Sequence, residues 1–374
     1  MRSPSAVRIR AVELHRVAMP LVRRFETSFG VQTTRDVLLV RVRTDAGDGW
    51  GECVAGAEPV YSSEYTDGAE HVITHYLAPA LLRAGSVTAA TVASLLSFVV
   101  GHRMAKAALE TAVLDAQTRA AGQSFGEYFG AVRAAVDCGV SVGIAPTIDE
   151  LLAEVSGYVE EGYRRIKLKI KPGWDIEPVR AVRGLIGDLP LQVDANTAYT
   201  LADVRHLGRL DEFELLLIEQ PFEEEDISSH AALAAQIATP VCLDESIHSA
   251  VVAVDAIARG ATSIVNIKAG RVGGYLEAVR VHDVCAELDV PVWCGGMLET
   301  GIGRAANVAL AAMENFTLPG DTSASRRFYA DDLTEPFVLV DGRLAVPTGG
   351  GSGVEVREEL LGDWALRPAV LLRG

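Results

Sequence analysis

Five charged residues between positions 169 and 268 stand at almost even spacing. Lys169, Asp194, Glu219, Asp244 and Lys268 follow one another at steps of 25, 25, 25 and 24 residues, each at the end of a short apolar run. Such a step accommodates one strand, one helix and two loops, so the five side chains are expected at one height on successive parallel strands. In a parallel barrel that height is the C-terminal rim, where strand ends converge on one mouth. Three carboxylates from adjacent strands make an all-oxygen set that suits a hard divalent ion such as Mg²⁺ and repels itself without one. A lone Asp after an apolar run suits a helix N-cap equally well. Three acidic residues in register, with Asn196 and Gln220 beside two of them, favour a shared site over three separate caps.

The lysines flank the carboxylates in strand order. In "RIKLKIK" (165–171) the period of two turns Lys167 and Lys169 to one side and Ile166, Leu168 and Ile170 to the other. With helices outside, the aliphatic set faces the helices and the lysines face the barrel interior; Lys171 begins the loop and reads as a surface charge. Lysines can also protect an edge strand, but a closed barrel has no edge. A metal holding a substrate carboxylate stabilises an enediolate, and a lysine whose pKa is lowered by nearby cations can remove an α-proton. Two lysines on opposite faces allow racemisation or elimination.

The elements that must position these groups follow from the texture of the chain. From 135 onward, eight short apolar runs ("CGVSVGI", "RRIKLKI", "LPLQVDAN", "LLLIEQP", "PVCLDES", "SIVNIK", "PVWCGGM", "FTLPGD") alternate with amphipathic helical segments. The count of eight favours a closed barrel over an open sheet, and neither GxGxxG after a first strand nor a Walker loop is present. Residues 1 to about 55 alternate apolar and polar as an antiparallel meander, with "DAGDG" as a turn. Residues 67–125 change to three- and four-residue steps and end at Gly122, so this first part reads as an α+β unit. In the last fifty residues, Asp341-Gly342 between apolar runs signals a hairpin returning to the first unit.

Composition narrows the partners. The 374 residues are 49% hydrophobic and 22% charged, an ordinary globular balance, and the net charge of −16 argues against a nucleic acid or an anionic membrane surface. Cys53, Cys138, Cys242, Cys285 and Cys294 are odd in number and form no CxxC or zinc pattern, which fits a reducing cytoplasm. The opening residues show no signal-peptide h-region, and the longest membrane-like stretch, 92–100, is about half of the ~20 residues a span needs. His102, His206, His230, His248 and His282 show no dyad or ligand spacing and read as structural.

Taken together, the "WGEC" of the β-rich opening, "AKAALETAVLDAQTRAAGQSFGEYFG", the KxK strand, the three carboxylates and "NIKAGRVGGYLEA" resemble the enolase superfamily, in its muconate-lactonising-enzyme subgroup. Within it, "GGMLETGIGRAANVALA" and "LPGDTSASRRFYADDLTEPF" resemble the o-succinylbenzoate synthase and N-acylamino acid racemase family. The resemblance implies an α/β fold: a modified (β/α)7β TIM-type barrel at 135–325, an α+β capping domain at 1–134, and a tail, 326–374, that rejoins the cap. It implies Mg²⁺ on Asp194, Glu219 and Asp244, with Lys169 as acid/base, Lys268 opposing it and Lys167 as helper at the substrate carboxylate. For the dehydration, Lys169 takes the proton and assists hydroxide departure while Lys268 acts as a cation; for the racemisation, both lysines exchange the α-proton. Ser141, Asn196, Gly295, Gly296 and Met297 match substrate-pocket positions, and 23–30 ("RRFETSFG") and 61–65 ("YSSEY") match capping loops. A small carboxylate substrate and a homo-oligomer are further expectations. Dipeptide epimerases and muconate cycloisomerases share the catalytic set, but "LPGDTSAS" offers Asp321 alone where an epimerase has an Asp-x-Asp pair. An inactive binding barrel is disfavoured because all six charged residues are in place. Arg326 in "SASRRF" departs from the family pattern and bears on loop contacts.

Overall fold

In the computed structural model, which describes residues 5–373, the chain opens with a long antiparallel hairpin of Val7–Thr27 and Gly30–Thr44, to which Asp48–Cys53 adds as a third strand. The "DAGDG" turn lies between the second and third strands, as its composition implies. The stretch 23–30 is not a free loop: the first strand runs through it, with Phe25 opposite Gln32 and Thr27 opposite Gly30. Its alternation from Arg24 onward explains why, since Phe25 and Thr27 are buried while Arg24 is exposed and Glu26 only half-buried.

The third strand packs on the alanine-rich helix Arg103–Ala121 at unusually short range. A Cβ on Gly49 would come within 2.1 Å of the Ala112 carbonyl oxygen, and one on Gly51 within 2.1 Å of that of Ala108. Only glycine permits that backbone approach. The helix is buried along most of its length and ends at Gly122 in the left-handed conformation, with φ of 62°.

The barrel strands are Gly139–Val142, Arg165–Lys169, Leu191–Asp194, Ile218–Glu219, Val241–Leu243, Ile264–Ile267 and Val292–Cys294, all parallel and hydrogen-bonded in chain order. The eighth apolar run closes the ring. Phe316 bridges to Val292 and Gly320 to Cys138, and the amide of Gly139 donates to the carbonyl of Gly320 at 2.7 Å. Ile166, Leu168 and Ile170 are buried in the core shared with the surrounding helices. Below the charged rim the interior is plugged by Leu217, Cys242, Ile264 and Trp293, with the Arg165 guanidinium stacked over Trp293 at 5.1 Å.

Asp341 and Gly342 form a tight turn, both at positive φ, but the expected hairpin does not extend from it. The strand Arg343–Ala345 pairs with Ala135–Asp137 instead. Val338 and Val340 are exposed and Phe337 and Leu339 only half-bury against the main core, whereas Leu344 lies fully buried opposite Val136. The final strand, Val370–Arg373, joins the first strand of the opening sheet. All five cysteines are buried and unpaired. Among the described residues no helix is long and apolar enough to cross a membrane.

A buried glutamate docks the opening unit on the barrel. Glu110, on the Arg103–Ala121 helix, accepts from the Leu276 amide at 3.1 Å, capping the barrel helix Tyr275–Glu287. Gly274 makes room for it: at φ 145°, a Cβ there would lie 2.2 Å from a Glu110 oxygen. Burial pushes Glu110 up to about 7, against the helix amides that lower it. A pKa raised above the unfolded value adds stability that is full below about 4.5 and is lost as pH rises through about 7. The Glu110→Gln variant is therefore expected to show a flatter fall in melting temperature than the parent between pH 5 and 8. Parallel slopes in thermal unfolding would remove Glu110 as their source.

Candidate active site

The strand register brings the evenly spaced residues to one level. Lys169 pairs with Asp194 and Asp194 with Glu219 across neighbouring strands, while Asp244 and Lys268 directly follow the fifth and sixth strands. Asp194, Glu219 and Asp244 are fully buried, and Lys167, Lys169 and Lys268 nearly so. Lys169 Nζ donates to Asp194 at 2.5 Å and to Asn196 Oδ1 at 2.7 Å. Lys268 Nζ meets Asp244 at 2.8 Å. Lys167 Nζ lies 2.6 Å from Asp321, 3.0 Å from Glu219 and 3.5 Å from Asp194. Lys171, read as a surface charge, is half-exposed and pairs with Glu26 at 3.2 Å, tying the rim to the opening hairpin.

The electrostatics follow from burial against counter-charge. Burial would raise Asp194, but Lys169 and Lys167 outweigh it and hold the carboxyl at about 2. Burial and then the Asp194 charge push Glu219 up. The expectation of a lysine with a lowered pKa is met in the opposite sense at Lys268. Burial does disfavour its charge, but Tyr61, Glu245, Glu219 and Asp194 overcome that and leave it above its ordinary value.

A cavity of about 350 Å³ opens over these groups, in the ~300–1,000 Å³ range of small-molecule sites. Lys167, Lys169 and Lys268 reach it, together with Ser141, Asn196, Gly296 and Met297. Its cover comes from both expected capping stretches, through Phe25, Thr27, Phe29 and Tyr61. Gly295 stands elsewhere. It is buried behind Lys268, where a Cβ would come within 2.7 Å of the lysine Cγ and 2.2 Å of Asn266, so it makes room for the lysine and not for a ligand. Arg326 points to the surface and pairs with Glu161 at 3.1 Å, away from the cavity. His206, His230 and His282 are held by Asp175, by the Asp226 carbonyl and Phe222 amide, and by the Asn315 amide.

The sequence reading assigned no role to several groups. Asp321 lines the cavity and binds Lys167, Arg165 at 2.9 Å and the Ser141 hydroxyl at 3.1 Å. Lys167 and Arg165 hold its carboxyl well below the usual range despite burial. It ends the eighth apolar run, two strands on from Lys268, so carrying the interval argument to the end of the ring reaches its position, though not its partners. Tyr61 accepts from Lys268 Nζ at 3.1 Å and lays its ring under the same ammonium at 4.5 Å. Arg271 makes an ion pair with Asp244, and Glu245 accepts from Asn196 at 2.9 Å.

The donor set fits a hard divalent cation. Three fully buried carboxylates crowd adjacent strands, and two neighbouring buried oxygens, Glu245 Oε2 and Asn266 Oδ1, have no hydrogen-bond partner. The charge against the carboxylates comes here from Lys167, Lys169, Lys268 and Arg271. Among the described residues no three His, Cys, Asp or Glu side chains already surround one metal-sized point.

An eight-membered barrel with acid and base groups at its rim under a separate α+β cover defines the class. Residues 150–360 match the family model described as enolase C-terminal domain-like, and residues 9–130 match the N-terminal domain of mandelate racemase / muconate lactonizing enzyme. The chain belongs to the enolase superfamily, in its muconate-lactonizing subgroup, and is an enzyme of that family. Divalent-metal dependence is general in this family. Its sequence is 66% identical to an N-succinylamino acid racemase of an Amycolatopsis species, over 96% of this chain and 97% of the relative. It is 46% identical to an o-succinylbenzoate synthase of Geobacillus kaustophilus, over 94% of each chain. An enolase-superfamily structure from Listeria innocua superposes with a TM-score of 0.94 at 38% identity, over 98% of this chain and 99% of that one.

Asp321 supplies the sharpest test of the charge balance. Arg165 is fully buried and its Nε already lacks a partner, so Asp321→Ala leaves that buried cation without its carboxylate, while Lys167 keeps Glu219 and Asp194. The loss in unfolding free energy by chemical denaturation is expected at ~3–5 kcal/mol, with Asp321→Asn losing less. A change under about 1 kcal/mol for the alanine variant would show that Asp321 is not the main counter-charge.

Proposed function

We propose that the protein is a Mg²⁺-dependent o-succinylbenzoate synthase that also racemises N-succinylamino acids in the same site. The observation that carries this reading is the placement of Lys169 and Lys268. They end the second strand and follow the sixth in an eight-membered ring, hence on opposite walls, and both reach one cavity. The cap over them is taken as residues 1–134 with the returning tail 326–374, on a barrel of 135–325.

Asp194, Glu219 and Asp244 would hold the metal, which supplies positive charge for the negative charge that grows on a substrate carboxylate as its α-proton leaves. A substrate lying between the two walls presents one face to each lysine. In racemisation, one lysine takes the α-proton and the other returns one to the opposite face. In the dehydration, Lys169 takes the proton and then assists the departing hydroxide on the same face, while Lys268 remains a cation. Lys167, held among Asp321, Glu219 and Asp194, adds positive charge beside the substrate carboxylate. Phe25, Phe29, Tyr61, Met297 and Phe328 line the rest of the cavity and exclude water from the lysines.

Dipeptide epimerisation is less well supported. Asp321, the cavity carboxylate standing where an epimerase has its Asp-x-Asp pair, is already engaged by Lys167 and Arg165. The test is α-proton exchange of an N-succinyl amino acid in D₂O with Mg²⁺ present. Deuterium is expected at Cα, and its absence with the fold intact would remove the racemase claim. Lys169→Ala and Lys268→Ala should each abolish exchange, whereas Lys167→Ala should retain a measurable part. Dehydration of 2-succinyl-6-hydroxy-2,4-cyclohexadiene-1-carboxylate, a menaquinone precursor, is followed separately. Stripping divalent ions with EDTA should stop both reactions and Mg²⁺ should restore them; full activity after stripping would exclude the metal role.

A further inference from the structure

One cap side chain reaches past the cavity to the segment that forms its wall. In the third strand, Gly49 and Gly51 face the Arg103–Ala121 helix, so the alternation turns Trp50 and Glu52 the other way. Trp50 packs in a second core with Ile302, Phe328 and Tyr329. Glu52 meets the start of the barrel helix Gly301–Ala311. Its Oε2 accepts from the Thr300 hydroxyl at 2.7 Å and the Gly303 amide at 3.0 Å, and both its oxygens lie 3.1 Å from the Thr300 amide. Glu52 thereby satisfies amides that a helix start leaves unpaired. A Cβ on Gly303 would lie 2.9 Å from Glu52 Oε2, so the contact depends on that glycine.

The segment just before Thr300 carries Gly296, Met297 and Leu298, all of which line the cavity, whereas Glu52 does not. Leu298 sits at φ 58°, a conformation that costs a branched side chain ~1–3 kcal/mol and persists only where its surroundings hold it. The holding contacts come from side chains. The Met297 amide donates to Glu299 at 2.9 Å, Asn307 donates to the other Glu299 oxygen at 3.0 Å, Arg304 donates to the Glu299 carbonyl at 2.8 Å, the Tyr329 hydroxyl donates to the Leu298 carbonyl, and Glu52 anchors Thr300.

We propose that Glu52 is a positioning residue: by docking on Thr300 and Gly303 it fixes the Met297–Leu298 wall, so the cavity's side-chain preference depends on a cap strand that never touches substrate. The inference rests on the cavity being the substrate site of the proposed reaction. Burial, and the Glu299 carboxylate beside it, push Glu52 up to about 7, which makes glutamine a close stand-in for its protonated form.

The variants are Glu52→Ala, Glu52→Gln and Thr300→Val, the last breaking the same contact from the barrel side should Glu52→Ala fail to fold. Amide hydrogen exchange by mass spectrometry reads residues 295–303 against the reference strand 165–169. In Glu52→Ala and Thr300→Val, exchange in 295–303 should rise about tenfold, the scale of one buried hydrogen bond, with 165–169 unchanged. In α-proton exchange, KM for N-succinylphenylalanine should rise about tenfold on the same grounds, while kcat and the KM for N-succinylalanine stay within about threefold. Glu52→Gln should restore most of both effects. Unchanged exchange at 295–303, equal loss of protection in both segments, or an equal fall in kcat for both substrates would each overturn the proposal. If the parent protein turns over neither substrate, the functional reading falls, and hydrogen exchange still decides the role of Glu52.

Discussion

Buried like charge is the constraint around which this molecule is organised. Asp194, Glu219 and Asp244 are fully buried on adjacent strands, where carboxylates do not persist without cations beside them. Almost every polar choice nearby follows from that need. Lys167, Lys169, Lys268 and Arg271 bring positive charge, Asn266 donates to Glu219 at 2.7 Å, and Gln220 accepts from the Asp244 amide at 3.0 Å. The neutral plug of Leu217, Cys242, Ile264 and Trp293 then seals the barrel beneath, so that water does not screen the cluster from below. A charge cluster with one dry side and one open cavity directs its field toward the cavity, where a carboxylate substrate would sit.

The charged half of this arrangement was legible in the sequence because it rests on two local regularities. Strand alternation separated Lys167 and Lys169 from Ile166, Leu168 and Ile170, and the repeat length of a βα unit aligned Lys169 with Asp194, Glu219, Asp244 and Lys268. What remained hidden depends on contacts that the chain makes over long separations. Tyr61 reaches Asp244 across 183 residues, and Asp321 reaches Arg165 across 156; nothing in the neighbourhood of either tyrosine or aspartate announces its partner. Expectations also misled in instructive ways. The family resemblance implied a capping loop at 23–30, yet Phe25 and Thr27 kept the strand parity and the hairpin continued. The turn at Asp341-Gly342 formed, but pairing followed burial, and Leu344 found its buried partner in Val136.

Glycine use along the chain shows how the two halves were fitted together. Gly49 and Gly51 let a strand lie on the Arg103–Ala121 helix, and Gly274 and Gly303 leave space for the carboxylates of Glu110 and Glu52 at two barrel helices. Gly295 does the same inside the barrel for Lys268. In each case the missing Cβ admits a group that belongs to another element. These glycines therefore report tertiary contacts, although in the sequence they look like ordinary turn or strand-breaking residues.

The division of labour between barrel and cap follows from where rigidity is available. The lysines and carboxylates stand on or directly after paired strands, whose positions are fixed by main-chain hydrogen bonds on both sides. The rest of the cavity lining comes from the hairpin tip, the Tyr61 segment and Gly296, Met297 and Leu298, which lack such a framework on both sides and are held by side chains. Ser28, for example, ties the hairpin tip to the Asn196 carbonyl at 3.1 Å, beside the lysine it covers. Substitutions in these covering segments can reshape the cavity while leaving the lysines and carboxylates where the strands put them. Under the proposed function, chemistry common to several substrates is compatible with one barrel, and preference among them would be set by these covering segments.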